Sequence, residues 1–156
     1  MSASSNGVAG TFASYPDNTI YVILGDTGNG STNLIADDAS YPSFAEAILA
    51  HEFTHVAQAA EATSSANWST FTGMNITSLP TDYGLPALAF PSGVNPSLTI
   101  SEIMAYGVES NVLLQAGQGA TMPPGLGFSS WSSFNAWYNN NASLLQSYAY
   151  YILTKG

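Results

Sequence analysis

His51-Glu52-Phe53-Thr54-His55 places the chain's only two histidines around a glutamate in a sequence of 156 residues. On a helix, positions four apart share a face, one turn of about 5.4 Å from each other. Both imidazoles can therefore meet one metal ion. Glu52 projects from the adjacent side, where it can reach a metal-activated water without being a ligand. Neutral imidazole suits zinc, a Lewis acid that lowers the pKa of its water toward about 7. A neighbouring carboxylate can take that proton and pass it to a leaving amine. The pattern points to metal-assisted hydrolysis, with His51 and His55 as ligands and Glu52 as general base.

A catalytic zinc wants three protein ligands and one open position. The chain has no cysteine and no third histidine, so the remaining ligand is expected to be a carboxylate. Glu61 is six positions past His55 on the same helix and faces elsewhere. Glu102, in Ser101-Glu102-Ile103-Met104-Ala105-Tyr106, is the first choice, because Ala105 one turn on allows a close approach of the first helix. Glu109 follows two turns later as second choice. Asp82, in the loop sequence Pro80-Thr81-Asp82-Tyr83-Gly84, is the third. Oxyanion stabilisation needs a further donor, and Tyr106, Tyr83 and Tyr138 are the candidates, with Tyr106 preferred.

His51-Glu-Phe-Thr-His55 followed by Glu102-Ile-Met-Ala-Tyr106 resembles the gluzincin branch of the zincin metallopeptidases. In that branch one helix carries two histidines and a second carries the glutamate ligand, and Glu102 and Ala105 match the Glu-x-x-Ala form of some members. Thermolysin-like members place an acidic residue four positions after that glutamate, where it orients a histidine ligand. Here that position is Tyr106, so the role is either absent or met by a hydroxyl. His51 through Gln58 also looks like the short zincin-type domains of larger bacterial or archaeal proteins. An aspzincin would use Asp82, although that family keeps its aspartate nearer the histidines, and metzincins need a third histidine. The resemblance implies a zinc endopeptidase of peptide or protein substrates, with Asn33–Ala36 as the edge strand holding an extended peptide. The alternative is a metal-binding, weakly active or inactive zincin-like domain with a cell-surface or assembly role.

Composition narrows the partners. Charged residues are 7% and the net charge is −9, with Lys155 as the only cation. Nothing here displaces counterions from a nucleic-acid backbone, and no polybasic anchor is present. Asp37-Asp38 lacks the spacing of a calcium loop. No apolar run is long enough for a transmembrane helix. The start lacks a charged region followed by an apolar one, so any export signal is expected to be missing from this sequence. Asn29, Asn67, Asn75 and Asn141 each open an N-glycosylation triplet. With a surface built of hydroxyls and amides, they suggest a secreted or cell-surface protein.

The elements that must position the site follow from periodicity. Residues 1–156 read as a single α+β domain, mainly helical, with a small N-terminal β-sheet packed on the active-site helix. Thr19–Leu24 reads as a buried strand and Asn33–Ala36 as its hairpin partner. Ser43 and Glu46 have capping-box spacing for a helix over residues 43–62, with Ile48, Leu49, Phe53, Val56 and Ala59 as its apolar residues. Residues 64–91 read as irregular. A second helix is expected from Asn95-Pro96-Ser97 to Gly117. The stretch 129–154 reads as one or two helices, with Trp131, Phe134, Trp137, Leu144, Leu145, Tyr148 and Ile152 as core.

Overall fold

The computed structural model describes residues 10–14, 19–23, 44–79, 83–121, 123 and 125–155. Two strands, β1 (Gly10–Ser14) and β2 (Thr19–Ile23), pair antiparallel with Gly10 opposite Ile23. Four helices follow: α1 (Phe44–Glu61), α2 (Ser65–Gly73), α3 (Ile100–Gln115) and α4 (Trp131–Lys155).

The α+β expectation is corrected to a helical fold. Among the described residues, the buried apolar cluster comes from the four helices and the segments joining them. β1 and β2 form a single two-stranded ribbon lying against the helix over residues 44–61, and helix makes up most of the described residues. The expected second strand, Asn33–Ala36, lies outside the described residues, as do Ser43 of the capping box and Asp37-Asp38.

α1 contains neither proline nor glycine, and Glu46 in its first turn complements the helix dipole. Its stripe toward α3 is Ala47, His51, His55 and Gln58, at steps of four, four and three. Ala47 is fully buried, and across from this stripe so is Ala105 of α3. Small residues at these positions let the two helices approach closely. Phe53, one of the apolar residues of the expected helix, is 61% exposed. It sits two positions from His51, and therefore points away once the polar stripe takes the interior.

α3 begins at Ile100, later than expected. Asn95 Oδ1 accepts from the Ser97 amide at 3.0 Å, so the proline segment is spent on an Asx turn. The helix is capped by Thr99, whose Oγ1 accepts from the Glu102 amide at 3.3 Å. The flanking backbone is pinned to the chain after α2 by Ile76 N–H to Leu98 O and Ile100 N–H to Met74 O, at 2.9 and 3.1 Å. Cap and pins together fix where Glu102 stands.

α2 was expected to be irregular. Its residues Ser65-Ala-Asn-Trp-Ser-Thr-Phe-Thr-Gly73 have little helix propensity. Ser64 caps it through the Asn67 amide, and fully buried Phe71 anchors it. α4 is one continuous helix. Of its expected core residues, Trp131, Phe134, Leu145, Tyr148 and Ile152 are buried, while Trp137 and Leu144 pack partly buried at the edge.

At the α3–α4 crossing, a Cβ on Gly107 would overlap the Tyr138 ring. Gly107→Ala is expected to destabilise by about 1–3 kcal/mol through overpacking. Urea unfolding measures this, and an unchanged midpoint would show that the crossing is looser than described.

Candidate metal centre

Three side chains converge between α1 and α3. The Nε2 atoms of His51 and His55 are 3.2 Å apart. Glu102 brings one carboxylate oxygen to 3.3 Å from His51 Nε2 and the other to 3.5 Å from His55 Nε2. Ligands around a tetrahedral ion with bonds of about 2.0–2.2 Å lie about 3.3–3.6 Å from one another. The separation of the two nitrogens is close to that edge, and the carboxylate turns one oxygen toward each ring. The histidine side chains are 11% and 12% exposed and that of Glu102 is 42% exposed, leaving one side of the cluster open to solvent.

The outward nitrogens are held as well. Glu109 Oε2 lies 2.9 Å from His51 Nδ1. Gln58 Oε1 lies 3.0 Å and Ser101 Oγ 3.1 Å from His55 Nδ1. Metal-bound histidines characteristically carry such partners on the second nitrogen, which orient the ring. Glu109 was the second choice for third ligand. Its oxygen instead meets the far nitrogen of His51, on the side of the ring away from Glu102 and His55.

Electrostatics shows the cost of leaving this cluster without a cation. Burial disfavours a charged His51, but its hydrogen bonds to Glu102 and Glu109, with the charges of both carboxylates, outweigh burial and raise its pKa to about 9. The Glu102 carboxyl is held below its ordinary value, first by its hydrogen bond to His51, against the opposing effect of burial. Without an ion, one proton on His51 thus keeps two ring nitrogens and a carboxylate together. A raised folded-state pKa contributes stability that is fully present below the ordinary value of about 6.5 and is lost as pH rises through about 9. The metal-free chain is expected to melt at lower temperature at about pH 10 than at about pH 6, with up to about 3 kcal/mol at stake. Melting curves in the presence of chelator measure this, and a flat profile would contradict it.

Glu52 is buried, at 6% exposure, one residue from His51. Tyr106 packs edge-on against the His51 ring at 4.6 Å. Its pKa is pushed up to about 12, first by burial and then by the charges of Glu102, Glu109 and Glu52. The hydroxyl therefore keeps its proton and remains a donor. Tyr138 and Tyr83 are not brought to the cluster: the first is buried at the α3–α4 crossing and the second stacks on Tyr151 at 5.5 Å. Glu61 is exposed on α1 and lines an apolar groove with Met104, Tyr150 and Leu153. Asp82 lies outside the described residues.

Sequence reasoning missed Gln58, Ser101 and the role of Glu109. The available signal was the polar stripe 51, 55, 58 on an otherwise alanine-rich helix. Glu109→Ala is expected to weaken zinc affinity about 10–100-fold, the usual effect of removing an outer partner. Competition with a chromophoric chelator measures it, and unchanged affinity would remove Glu109 from the site.

Among the glycosylation candidates, Asn67 is buried, and its amide nitrogen donates to Thr63 Oγ1 and Leu153 O at 3.0 and 3.1 Å. This atom would have to carry the sugar, so Asn67 is corrected to a structural residue. Asn75 is exposed, Asn141 is half-buried within α4, and Asn29 lies outside the described residues. No helix is long and apolar enough to cross a membrane, among the described residues.

Comparison with protein-family models, curated proteins and solved structures finds no match in any of the three.

Proposed function

We propose that the chain is a zinc-dependent endopeptidase of the gluzincin kind, with His51, His55 and Glu102 as ligands and Glu52 as general base. The observation that carries this reading is the convergence of the two Nε2 atoms, 3.2 Å apart, with the Glu102 carboxylate, one of whose oxygens lies 3.3 Å from His51 Nε2 and the other 3.5 Å from His55 Nε2. Two neutral nitrogens and one carboxylate oxygen are also the donor set zinc takes in hydrolytic sites. When bound, zinc would supply Lewis acidity toward water and the scissile carbonyl.

The chain's own groups account for the rest. Glu52 accepts the proton of the attacking water and returns it to the leaving amine. Glu109 holds the His51 ring in register. Tyr106, whose ring lies against His51 and whose hydroxyl keeps its proton, donates to the oxygen on which charge develops. Secretion or display at the cell surface belongs to the same reading, supported only by the low charge and polar surface.

A second reading has one observation in its favour. Lys155, the chain's single cation, lies over the Tyr150 and Tyr151 rings, 5.6 and 5.0 Å from their centroids. Oxyanion stabilisation therefore rests on a tyrosine, and a domain that holds metal for assembly without hydrolysis is the alternative. Incubating the zinc-loaded chain and Glu52→Gln with a peptide mixture separates the two. Cleavage by the first and not by the second supports the peptidase, while cleavage by neither, with zinc bound to both, supports the assembly role.

A further inference from the structure

Gln58 is buried on α1, and it reaches across to α3 with both ends of its carboxamide. Its Nε2 lies 3.2 Å from the backbone carbonyl of Ser101, and its Oε1 lies 2.9 Å from the Ser101 hydroxyl and 3.0 Å from His55 Nδ1. A backbone carbonyl can only accept, so the carboxamide end that faces it must be the NH2. The opposite end is then the oxygen, which also can only accept. His55 Nδ1 must in consequence carry a hydrogen to meet it. The Ser101 hydroxyl, 3.1 Å from the same nitrogen, donates to Gln58 Oε1 and is compatible with this direction.

We infer that Gln58 is a positioning residue which, read from the Ser101 carbonyl, places the proton of neutral His55 on Nδ1 and leaves Nε2 bare toward Glu102. This inference rests on the metal-centre reading for its purpose, though not for its geometry. The device ties the second histidine to the backbone one residue before the third ligand, so α1 and α3 cannot slide without disturbing both. The two histidines are thus held by unlike partners, His51 by a carboxylate and His55 by a neutral amide. A neutral partner fixes the ring of His55 without adding another negative charge to a cluster that already has Glu52, Glu102 and Glu109.

Long-range proton–nitrogen NMR on the full chain, labelled at histidine and free of metal, reads the tautomer directly. In its neutral form His55 is expected to show a protonated Nδ1 and a bare Nε2, the reverse of the form that predominates in water. Gln58→Leu is expected to relax this preference and weaken zinc affinity about 10–100-fold. Gln58→Glu keeps an acceptor at Nδ1 and is expected to keep the tautomer. A buried glutamine that served only packing would shift the melting temperature and leave the tautomer alone. A bare Nδ1 in the unaltered chain overturns the inference, and this measurement stands even if Gln58→Leu fails to fold. An unchanged tautomer in folded Gln58→Leu overturns it equally. If the tautomer is as stated but the unaltered chain takes up no zinc, the positioning stands and the peptidase reading falls.

Discussion

Glu52→Gln is expected to lower peptide hydrolysis by about 100- to 10,000-fold, the range that a positioned general base supplies. The substitution is nearly isosteric, so the buried side chain still fits beside His51. Glutamine cannot accept the proton that the attacking water must lose, and it cannot deliver one to the leaving amine. Zinc affinity is expected to change little, because Glu52 is not among the converging ligand atoms. The paired measurement matters, since loss of activity with loss of metal would only show that the site had collapsed. Steady-state cleavage of a fluorogenic peptide, with bound zinc quantified in the same samples, checks it. Equal rates in the two proteins would remove Glu52 from the chemistry.

Glu102→Ala is expected to lower zinc affinity by more than about 100-fold, beyond the range of an outer-partner substitution. The carboxylate faces both imidazoles, one oxygen to each, and it is the only acid within the three-residue cluster. Its removal takes away a ligand and also part of the attraction that holds His51 in place. The protein should nonetheless fold, because the Glu102 side chain is substantially exposed and its backbone amide remains capped by Thr99. Equilibrium competition with a chelator measures the loss. Affinity equal to that of the unaltered chain would show that Glu102 is a hydrogen-bond partner of the histidines and nothing more.

These two substitutions and Glu109→Ala grade the shells of the site. One is expected to remove chemistry, one a ligand, and one the orientation of a ligand. The raised pKa of His51 adds that proton and metal compete for the same arrangement. Zinc uptake near neutral pH should therefore displace a proton from the cluster.

The histidine pair was legible in the sequence because its geometry is local: four residues on a helix fix the face. Glu102 and Glu109 both lie on α3, and which nitrogen of His51 each carboxylate meets is what sets them apart. That depends on how α1 crosses α3, which no spacing within one helix reveals. The exposure of Phe53 was hidden for the opposite reason. Hydrophobicity argued for burial, but the interior face of α1 is occupied by His51, His55 and Gln58. A polar stripe overrode the apolar pattern, and such departures from local consistency are expected at functional or strained sites.

α2 escaped notice because Ser, Thr and Asn favour turns as much as helix. Its stability comes from Phe71 in the core and from Asn67 on the end of α4. The start of α3 was placed too early because proline suits both a first helical turn and an Asx turn, and the Asn95 side chain decided for the latter. The described residues are mostly helical, with β1 and β2 a single ribbon against α1. The apolar residues that back α3 come from α4, in a part of the chain far from the motif.

X-ray absorption at the zinc edge of the loaded protein tests the centre most directly. Two imidazole nitrogens and one carboxylate oxygen at about 2.0–2.2 Å, with a light atom from solvent in the fourth position, are expected. A spectrum lacking the imidazole scattering pattern, or a chain that takes up no zinc under any condition in which it is folded, would contradict it.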